Sequence, residues 1–210
     1  MTNPILSLTY NVDDVAAIAR LHSRSFPNYF LSRLGEPFLA QLYSGFIRDS
    51  SAVIVVAREI VDGPIVGVAV GSVEPRGFFS RLLRRQFWGF VKASARATLR
   101  EPGVTLRLLQ AVAYRGDAPA GRSGALLSSI CVSQGASGKG LGSALLRAWL
   151  RRAQEMGAMC AFLTTDAVDN DAVNRWYVRE GWRLSATYLA HGGRRMNCYE
   201  APIAVGVDAE

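Results

Sequence analysis

A short loop at residues 137–143, Ser-Gly-Lys-Gly-Leu-Gly-Ser, constrains this chain more than any other segment. The apolar stretch that precedes it, residues 125–132, predicts a buried strand, and residues 144–153 are strongly helix-forming. A strand, a glycine loop and a helix in this order bring backbone N–H groups and a helix N-terminus to one point. That arrangement binds phosphate, and Lys139 adds a mobile cation beside it.

Glycine spacing separates the classes of phosphate loop. A Walker A loop needs four residues between its first glycine and a Gly-Lys pair that Ser or Thr follows. Here Ser133 stands at the first glycine position and Gly140 follows Lys139, so that interpretation fails twice. A dinucleotide-binding fingerprint stays open, because Asp166 lies at about the right distance for its acidic residue. A glycine turn without any ligand also stays open.

A second motif, Asn-Asp-Ala-Val-Asn-Arg-Trp-Tyr-Val-Arg-Glu-Gly-Trp, occupies residues 170–182 and predicts a short helix closed by Gly181. Together the two motifs resemble those of the GNAT superfamily, the acyl-CoA-dependent N-acyltransferases. That family pairs a loop Gln/Arg-x-x-Gly-x-Gly/Ala with a downstream Asn-x-x-x-x-x-Phe-Tyr-x-x-x-Gly-Phe. Trp176 and Trp182 stand where the family usually has Phe, and Ser137 stands where its loop usually begins with Gln or Arg.

The resemblance implies acetyl-CoA as co-substrate and assigns roles to residues of this chain. The strand before the loop would splay from its neighbour and pair its backbone with the pantetheine arm at Ile130, Cys131 and Val132. The loop would hold the pyrophosphate through Ser137, Gly138, Lys139, Gly140, Leu141, Gly142 and Ser143. Asn170 would hydrogen-bond the cofactor near the splay, although Asn is also a favoured helix N-cap. Tyr177 would be the catalytic general acid that gives its proton to the coenzyme A sulfur, or else a buried aromatic residue of its helix.

Acetyl transfer from a thioester to an amine needs a neutral amine, a site for the oxyanion and a proton for the departing thiolate. A tyrosine suits the last task because its pKa near 10 keeps it protonated at neutral pH. Candidates for the base are Glu74, Asp166, Ser128 and Ser129, and a chain of waters is the alternative. Cys131 is expected to be an inert core thiol because its strand is apolar.

Composition narrows the class of protein. With 210 residues, of which 50% are hydrophobic, we expect a single domain over residues 1–210. The apolar runs are too short to span a bilayer, no signal peptide is evident, and three separated cysteines suggest reduced thiols, so the expected location is cytoplasmic. Two histidines without nearby cysteines predict no metal site. The net charge of +7 suits a polyanionic co-substrate, and no nucleic-acid motif accompanies it.

The apolar patterns predict a mixed α/β fold with the order β-α-α-β-β-(α-α)-β-α-β-α-β-β. This order resembles the GNAT-like fold, a twisted, mostly antiparallel mixed sheet of about seven strands with helices on both faces. Residues 75–124 are predicted to be a helical insertion between the third and fourth strands. Connections of that length usually carry function.

Basic residues crowd this insertion, at Arg81, Arg84, Arg85, Lys92, Arg96, Arg100 and Arg107. We interpret them as a solvated helix face, as a wall for an anionic acceptor, or, with the amphipathic residues 78–92, as a membrane-contacting surface. Residues 26–35 also resemble GNAT proteins associated with surface-polysaccharide synthesis, which would suit a nucleotide-linked amino sugar. The favoured function is an N-acetyltransferase for a small amine, acting as a monomer or homodimer. A non-catalytic acyl-CoA sensor is the alternative, and it would not need Tyr177.

Overall fold

The computed structural model describes residues 5–9, 11–27, 29–100, 123–190 and 193–203, without the side chains of Phe30 and residues 94–100. The strands are β1 Ile5–Leu8, β2 Ala52–Arg58, β3 Ile65–Ser72, β4 Ala125–Val132, β5 Cys160–Asp166, β6 Arg183–Leu189 and β7 Arg195–Pro202. The helices are α1 Asp14–Ser25, α2 Phe30–Arg33, α3 Glu36–Ile47, α4 Phe78–Arg100, α5 Leu141–Glu155 and α6 Asp171–Arg179, with a 3₁₀ turn at Gln134–Ala136.

The strands form one seven-stranded sheet in the order β1-β2-β3-β4-β5-β7-β6. Neighbouring strands are antiparallel except for β4 and β5, which are parallel. This confirms the predicted fold class, a mostly antiparallel mixed sheet with helices on both faces. Among the described strands this one parallel contact lies at the centre of the sheet, where the chain passes from β4 through the glycine loop and α5 into β5.

Both faces of the sheet are covered, so β2 is a continuous apolar run instead of an alternating one. Ile54 belongs to the apolar cluster beneath α1, α3 and α4, whereas Val53 belongs to the cluster beneath α5. Trp149 of α5 is fully buried in the second cluster, and its indole Nε1 donates a hydrogen bond of 3.2 Å to the carbonyl of Val53. The bond satisfies the indole donor, which would be costly to bury alone.

Helix α4 begins the predicted insertion and runs antiparallel to α3. The Phe78 ring lies 4.6 Å from Phe46 near the end of α3, and the Phe90 ring lies 5.0 Å from Phe38 near its start. The helix is kinked at Gln86, where φ is −126° and ψ is 20°. The second helix expected in the insertion, at residues 104–114, lies outside the described residues. Within the described part, no helix has the length and hydropathy to cross a bilayer.

Candidate active site

Strands β4 and β5 separate soon after they meet. They pair over only two positions, the second of which sets Leu126 opposite Phe162, although the strands continue to Val132 and Asp166. On its other side β4 stays paired with β3 as far as Val132. The backbone groups of β4 that face β5 beyond Leu126 therefore lack a strand partner and line a cleft. The backbone of Ile130, Cys131 and Val132 lies along this cleft.

A β-bulge lies where the cleft begins. Val70 of β3 is opposite Ser129 and Gly71 is opposite Leu127, so Ser128 is the additional residue of β4. Bulges bend a strand and turn its peptide groups away from the regular ladder. The Ser128 hydroxyl oxygen is buried and has no hydrogen-bond partner among the described residues. A buried polar atom without a partner, beside the start of a cleft, is a feature that a ligand can satisfy.

The glycine loop forms a cradle at the far end of the cleft. Gly138 and Gly140 have φ of 75° and 77°, and a Cβ on either would meet nothing within 4 Å. Helix α5 begins at Leu141, and the N–H groups of its first turn have no acceptor within the helix. A cavity of about 460 Å³ opens over this turn. Its lining residues are Val132, Ala136, Ser137, Gly138, Gly140, Leu141, Gly142, Ser143, Trp176, Arg179 and Glu180.

The cavity therefore gathers Val132 and six of the predicted loop residues, but the other predicted cofactor residues lie elsewhere. Lys139 is not among the lining residues, and its Nζ donates a hydrogen bond of 2.8 Å to the carbonyl of Gly135. Ile130 packs against the cluster beneath α5, and Cys131 is buried in the cluster on the opposite face. Burial raises the pKa of Cys131 to about 12, a rise that a hydrogen bond with Ser25 partly offsets, so this thiol is inert.

Tyr177 is buried on α6, with 6% of its surface exposed. Its ring lies 4.7 Å from Trp176, 6.0 Å from Trp182 and 5.8 Å from Tyr199. This burial raises the pKa of the Tyr177 phenol well above its ordinary value of 10.0, and the nearby Tyr29 raises it further. Tyr177 is therefore protonated at neutral pH and is a hydrogen-bond donor, but a weaker acid than an exposed tyrosine.

Asn170 holds the N-cap position of α6 without capping it. Its Nδ2 donates hydrogen bonds of 2.8 Å to Thr165 Oγ1 and 3.2 Å to the carbonyl of Asp166. The side chain therefore ties α6 to the end of β5, at the open end of the cleft. Its predicted contact with the cofactor stays a prediction.

Asn174 was not indicated by the sequence analysis. Its Nδ2 donates a hydrogen bond of 2.9 Å to the carbonyl of Asp166, and its Oδ1 accepts bonds of 3.0 Å from Asn197 and from the Tyr199 hydroxyl. The side chain fastens α6, which carries Tyr177, to β5 and β7. The one sequence signal for this role is that Asn174 lies one helical turn after Asn170, on the same face of α6.

Three residues from distant parts of the chain form a polar group that we call the mouth cluster: Tyr29, Asp166 and Arg194. Arg194 donates to Asp166 from Nε at 3.1 Å and from Nη2 at 2.6 and 2.8 Å. The guanidinium carbon lies 6.0 Å from the centre of the Tyr29 ring. Partial burial and the charge of Asp166 raise the pKa of Tyr29. Asp166 was predicted from sequence as a candidate base or as the acidic residue of a dinucleotide fingerprint, in both cases without a partner, and in the structure it has a cationic partner in Arg194.

The other candidate bases differ in their surroundings. Glu74 is exposed two residues beyond β3, whose last residue pairs with Leu126, so Glu74 lies by the closed end of the cleft. Ser129 Oγ lies 3.5 Å from Nδ1 of His22, and that nitrogen lies 2.6 Å from the Tyr43 hydroxyl. Of these side chains only Ser129 is both in the splayed part of β4 and next to a titratable group.

Two of the basic residues of the insertion have an acidic neighbour. Arg81 Nε lies 3.7 Å and Arg85 Nη1 lies 4.0 Å from Asp49, in the turn after α3. Burial alone would raise the pKa of Asp49, but hydrogen bonds from Ser51 and the charges of both arginines outweigh it and lower that pKa. This contact favours a structural role on the surface of α4 over an acceptor wall. Arg84 is exposed.

The sequence model of the acetyltransferase (GNAT) family matches residues 15–182, and the chain belongs to this family. No curated protein matches it.

Among solved structures, a GNAT-family protein of Desulfovibrio desulfuricans is 16% identical, with 96% of this chain and 100% of that chain covered and a TM-score of 0.63. The yncA protein of Salmonella typhimurium, solved with acetyl-CoA, is 15% identical, with coverage of 100% and 99% and a TM-score of 0.61. Phosphinothricin acetyltransferase of Sinorhizobium meliloti, also in complex with acetyl-CoA, is 17% identical, with coverage of 100% and 93% and a TM-score of 0.58. At these identities the likeness concerns the fold.

Proposed function

We propose that the protein is an N-acetyltransferase that moves the acetyl group of acetyl-CoA to the primary amine of a small molecule. The observation that carries the proposal is the continuity of two features, the cleft between β4 and β5 and the glycine cradle before α5. Coenzyme A has a pantetheine arm with amide groups, which leads to a pyrophosphate. The cleft can bind the arm, and the cradle that follows it can bind the pyrophosphate. Membership of the GNAT family and the acetyl-CoA complexes of two structural relatives support the same co-substrate.

The residues present fit that co-substrate. Open space over Gly138 and Gly140 leaves the backbone accessible to phosphate oxygens, and the N-terminus of α5 adds its partial positive charge. A side chain at either glycine would project into this space. The edge of β4 that faces β5, from Ile130 to Val132, has no strand partner and offers donors and acceptors to the pantetheine amides, as a neighbouring strand would.

In the proposed reaction the amine nitrogen attacks the thioester carbonyl carbon, a C–N bond forms and the C–S bond breaks. The amine gives up one proton, to one of the candidate bases or to a chain of waters, and the departing sulfur gains one. We assign the second proton to the Tyr177 hydroxyl, as general acid. A tyrosine is already a weaker acid than a thiol, and burial weakens the acidity of Tyr177 further. Its first contribution is therefore a hydrogen bond that stabilises charge on the sulfur. The proton passes to the sulfur where burial in the cleft also raises the pKa of the coenzyme A thiol.

A non-catalytic acyl-CoA-binding module is the second candidate. The packing of Tyr177 against three aromatic rings favours it, because that packing alone accounts for a buried tyrosine. Such a module would use the same cradle and cleft. It would bind acetyl-CoA without transferring the acetyl group. The cytoplasmic location, the amino-sugar acceptor and the monomeric or dimeric state stay predictions.

One experiment separates these functions. Acetyl-CoA binding is measured by calorimetry, and free thiol is measured with acetyl-CoA and a panel of amines that includes nucleotide-linked amino sugars. We expect binding, and thiol release that depends on the amine and yields an acetylated product by mass spectrometry. Binding without transfer to any amine would identify the binding module. Absence of binding by the folded protein would overturn both candidates.

A further inference from the structure

The mouth cluster lies where three connections of the fold meet. Asp166 ends β5, Tyr29 precedes α2, and Arg194 lies in the hairpin between β6 and β7. The carbonyl of Asp166 accepts hydrogen bonds from Asn170, the N-cap residue of α6, and from Asn174 within that helix, which also carries Tyr177. The cluster is therefore connected directly to the open end of the cleft. The effect of Tyr29 on the pKa of Tyr177 agrees with this proximity.

Arg194 is held at the mouth with one edge of its guanidinium group unused. Nε and Nη2 donate to Asp166, whereas Nη1 donates to none of the residues that the structure describes. The Arg194 side chain is 50% exposed and that of Asp166 is 22% exposed. A guanidinium carries five N–H donors in one plane, so one carboxylate occupies only part of it. The contacts with Asp166 and Tyr29 fix that plane before any ligand arrives.

We infer that Arg194 determines acceptor specificity, by binding a carboxylate or phosphate that the acceptor carries close to its amine. The inference rests on the proposed function and adds the chemical class of the acceptor. The anionic group stays at the mouth with Arg194, while the amine passes inward toward the thioester.

Charge is the reason to expect an anion here and not a second cation. Asp166 is already matched by Arg194, so the exposed part of the cluster presents the guanidinium. The next residue, Arg195, is exposed and adds positive charge to the same hairpin. A cationic group at this position would meet like charge, whereas an anion would gain a charge-assisted hydrogen bond. Such bonds are worth about 1.5–3 kcal/mol, or roughly 10–150-fold in affinity.

The test uses pairs of amines that differ in the anion: 2-aminoethyl phosphate against ethanolamine, and β-alanine against its amide. Values of kcat/KM are compared at saturating acetyl-CoA and at equal concentrations of the neutral amine. We expect the anionic member of at least one pair to be preferred about tenfold or more. Arg194→Gln should remove this preference by raising the KM of the anionic member alone, and Arg194→Lys should retain part of it. A preference within the 2-aminoethyl phosphate pair indicates a phosphate on the acceptor, and a preference within the β-alanine pair indicates a carboxylate.

Arg195→Gln is the matched control, because it removes one positive charge from the same hairpin but leaves the guanidinium group that Asp166 holds, so it should lower the preference by less than Arg194→Gln does. Equal rates within both pairs, or an equal loss for both members in Arg194→Gln, would overturn the inference. Where no amine is acetylated, the same pairs are compared by calorimetry on the protein saturated with coenzyme A, and equal binding overturns it as well. Failure of the proposed function is seen separately, as absence of acetyl-CoA binding or of transfer to the wider panel.

Discussion

Ser143, in the first turn of α5, donates a hydrogen bond to the carboxylate of Glu180, the residue that follows α6. The indole Nε1 of Trp176 lies 3.4 Å from the same hydroxyl oxygen. The two helices that border the cavity are thus joined at the glycine loop. The bond also places a carboxylate among the residues that line the proposed phosphate site, with Arg147 at 3.5 Å as its cationic partner.

Glu180→Gln should strengthen the binding of acetyl-CoA. The change removes a negative charge beside the phosphates, while the amide oxygen can still accept the bond from Ser143. We expect a gain of at most about 1 kcal/mol, or roughly fivefold in Kd, because water and Arg147 screen the charge. Calorimetry at low and moderate salt measures it. Glu155→Gln, exposed at the other end of α5, is the control, and weaker binding by Glu180→Gln would refute the expectation.

Gly140→Asp should abolish measurable acetyl-CoA binding, because its side chain would enter the open space of the cradle and bring a negative charge to the phosphates. Gly157→Asp is a matched control. Gly157 also has a positive φ, 89°, and open space around it, but it follows the C-terminal end of α5. Both variants carry similar backbone strain, so only the first should lose the rise in Tm on adding acetyl-CoA. Equal affinity in the two folded variants would count against the cradle.

Tyr177→Phe should lower kcat by about 10²–10⁴-fold with little change in acetyl-CoA affinity, since only the hydroxyl is removed. Tyr199→Phe, in the adjacent buried ring, is the control and should affect stability more than kcat. The protonated form of Tyr177 is the active one, and its pKa lies above 10.0. This residue should therefore cause no loss of rate as pH rises to about 10. Wild-type turnover in Tyr177→Phe would show that the ring only packs.

The sequence predicted the elements of the fold well because each leaves a local pattern. These patterns are short-range: the apolar residues of β4, the glycine loop before α5, and the motif from Asn170 to Trp182 that includes α6. The mouth cluster has none, because Tyr29, Asp166 and Arg194 meet only after the sheet has formed. The same holds for the bulge at Ser128, which depends on the register between β3 and β4. The local pattern predicted Lys139 as a cation beside the phosphates, and in the structure the Lys139 ammonium group donates a hydrogen bond to the nearby carbonyl of Gly135.

Replacing Arg81 and Arg85 with Ala should lower stability slightly and leave the acceptor KM unchanged. Both contacts with Asp49 are long and partly exposed, so we expect a loss of up to about 1 kcal/mol at pH 7. The folded-state pKa of Asp49 is lowered, so this stabilisation is present above the unfolded pKa and is lost as pH falls through the folded value. Urea unfolding between pH 3 and 7 measures it, with Arg84→Ala as control. A raised acceptor KM in the double variant would restore the acceptor-wall interpretation.

Cys131 should resist thiol reagents in the folded protein. With a pKa of about 12 and a buried side chain, its thiolate fraction at pH 8 is about 10⁻⁴. Cys160, which is only partly buried, should react first. Peptide mapping after brief alkylation measures the order, with a denatured sample as the reference for full reaction. Native labelling of Cys131 at the rate of Cys160 would contradict the burial of this strand.

The two-position contact between β4 and β5 has a consequence for the life of the protein in the cell. A sheet interrupted at its centre leaves an opening that a bound acyl-CoA would bridge, and a ligand that binds only the folded chain lowers the unfolded fraction that proteases degrade. On the proposed function, the abundance of this protein would follow the supply of its own co-substrate. Cells rich in acetyl-CoA would keep more of it at the same rate of synthesis.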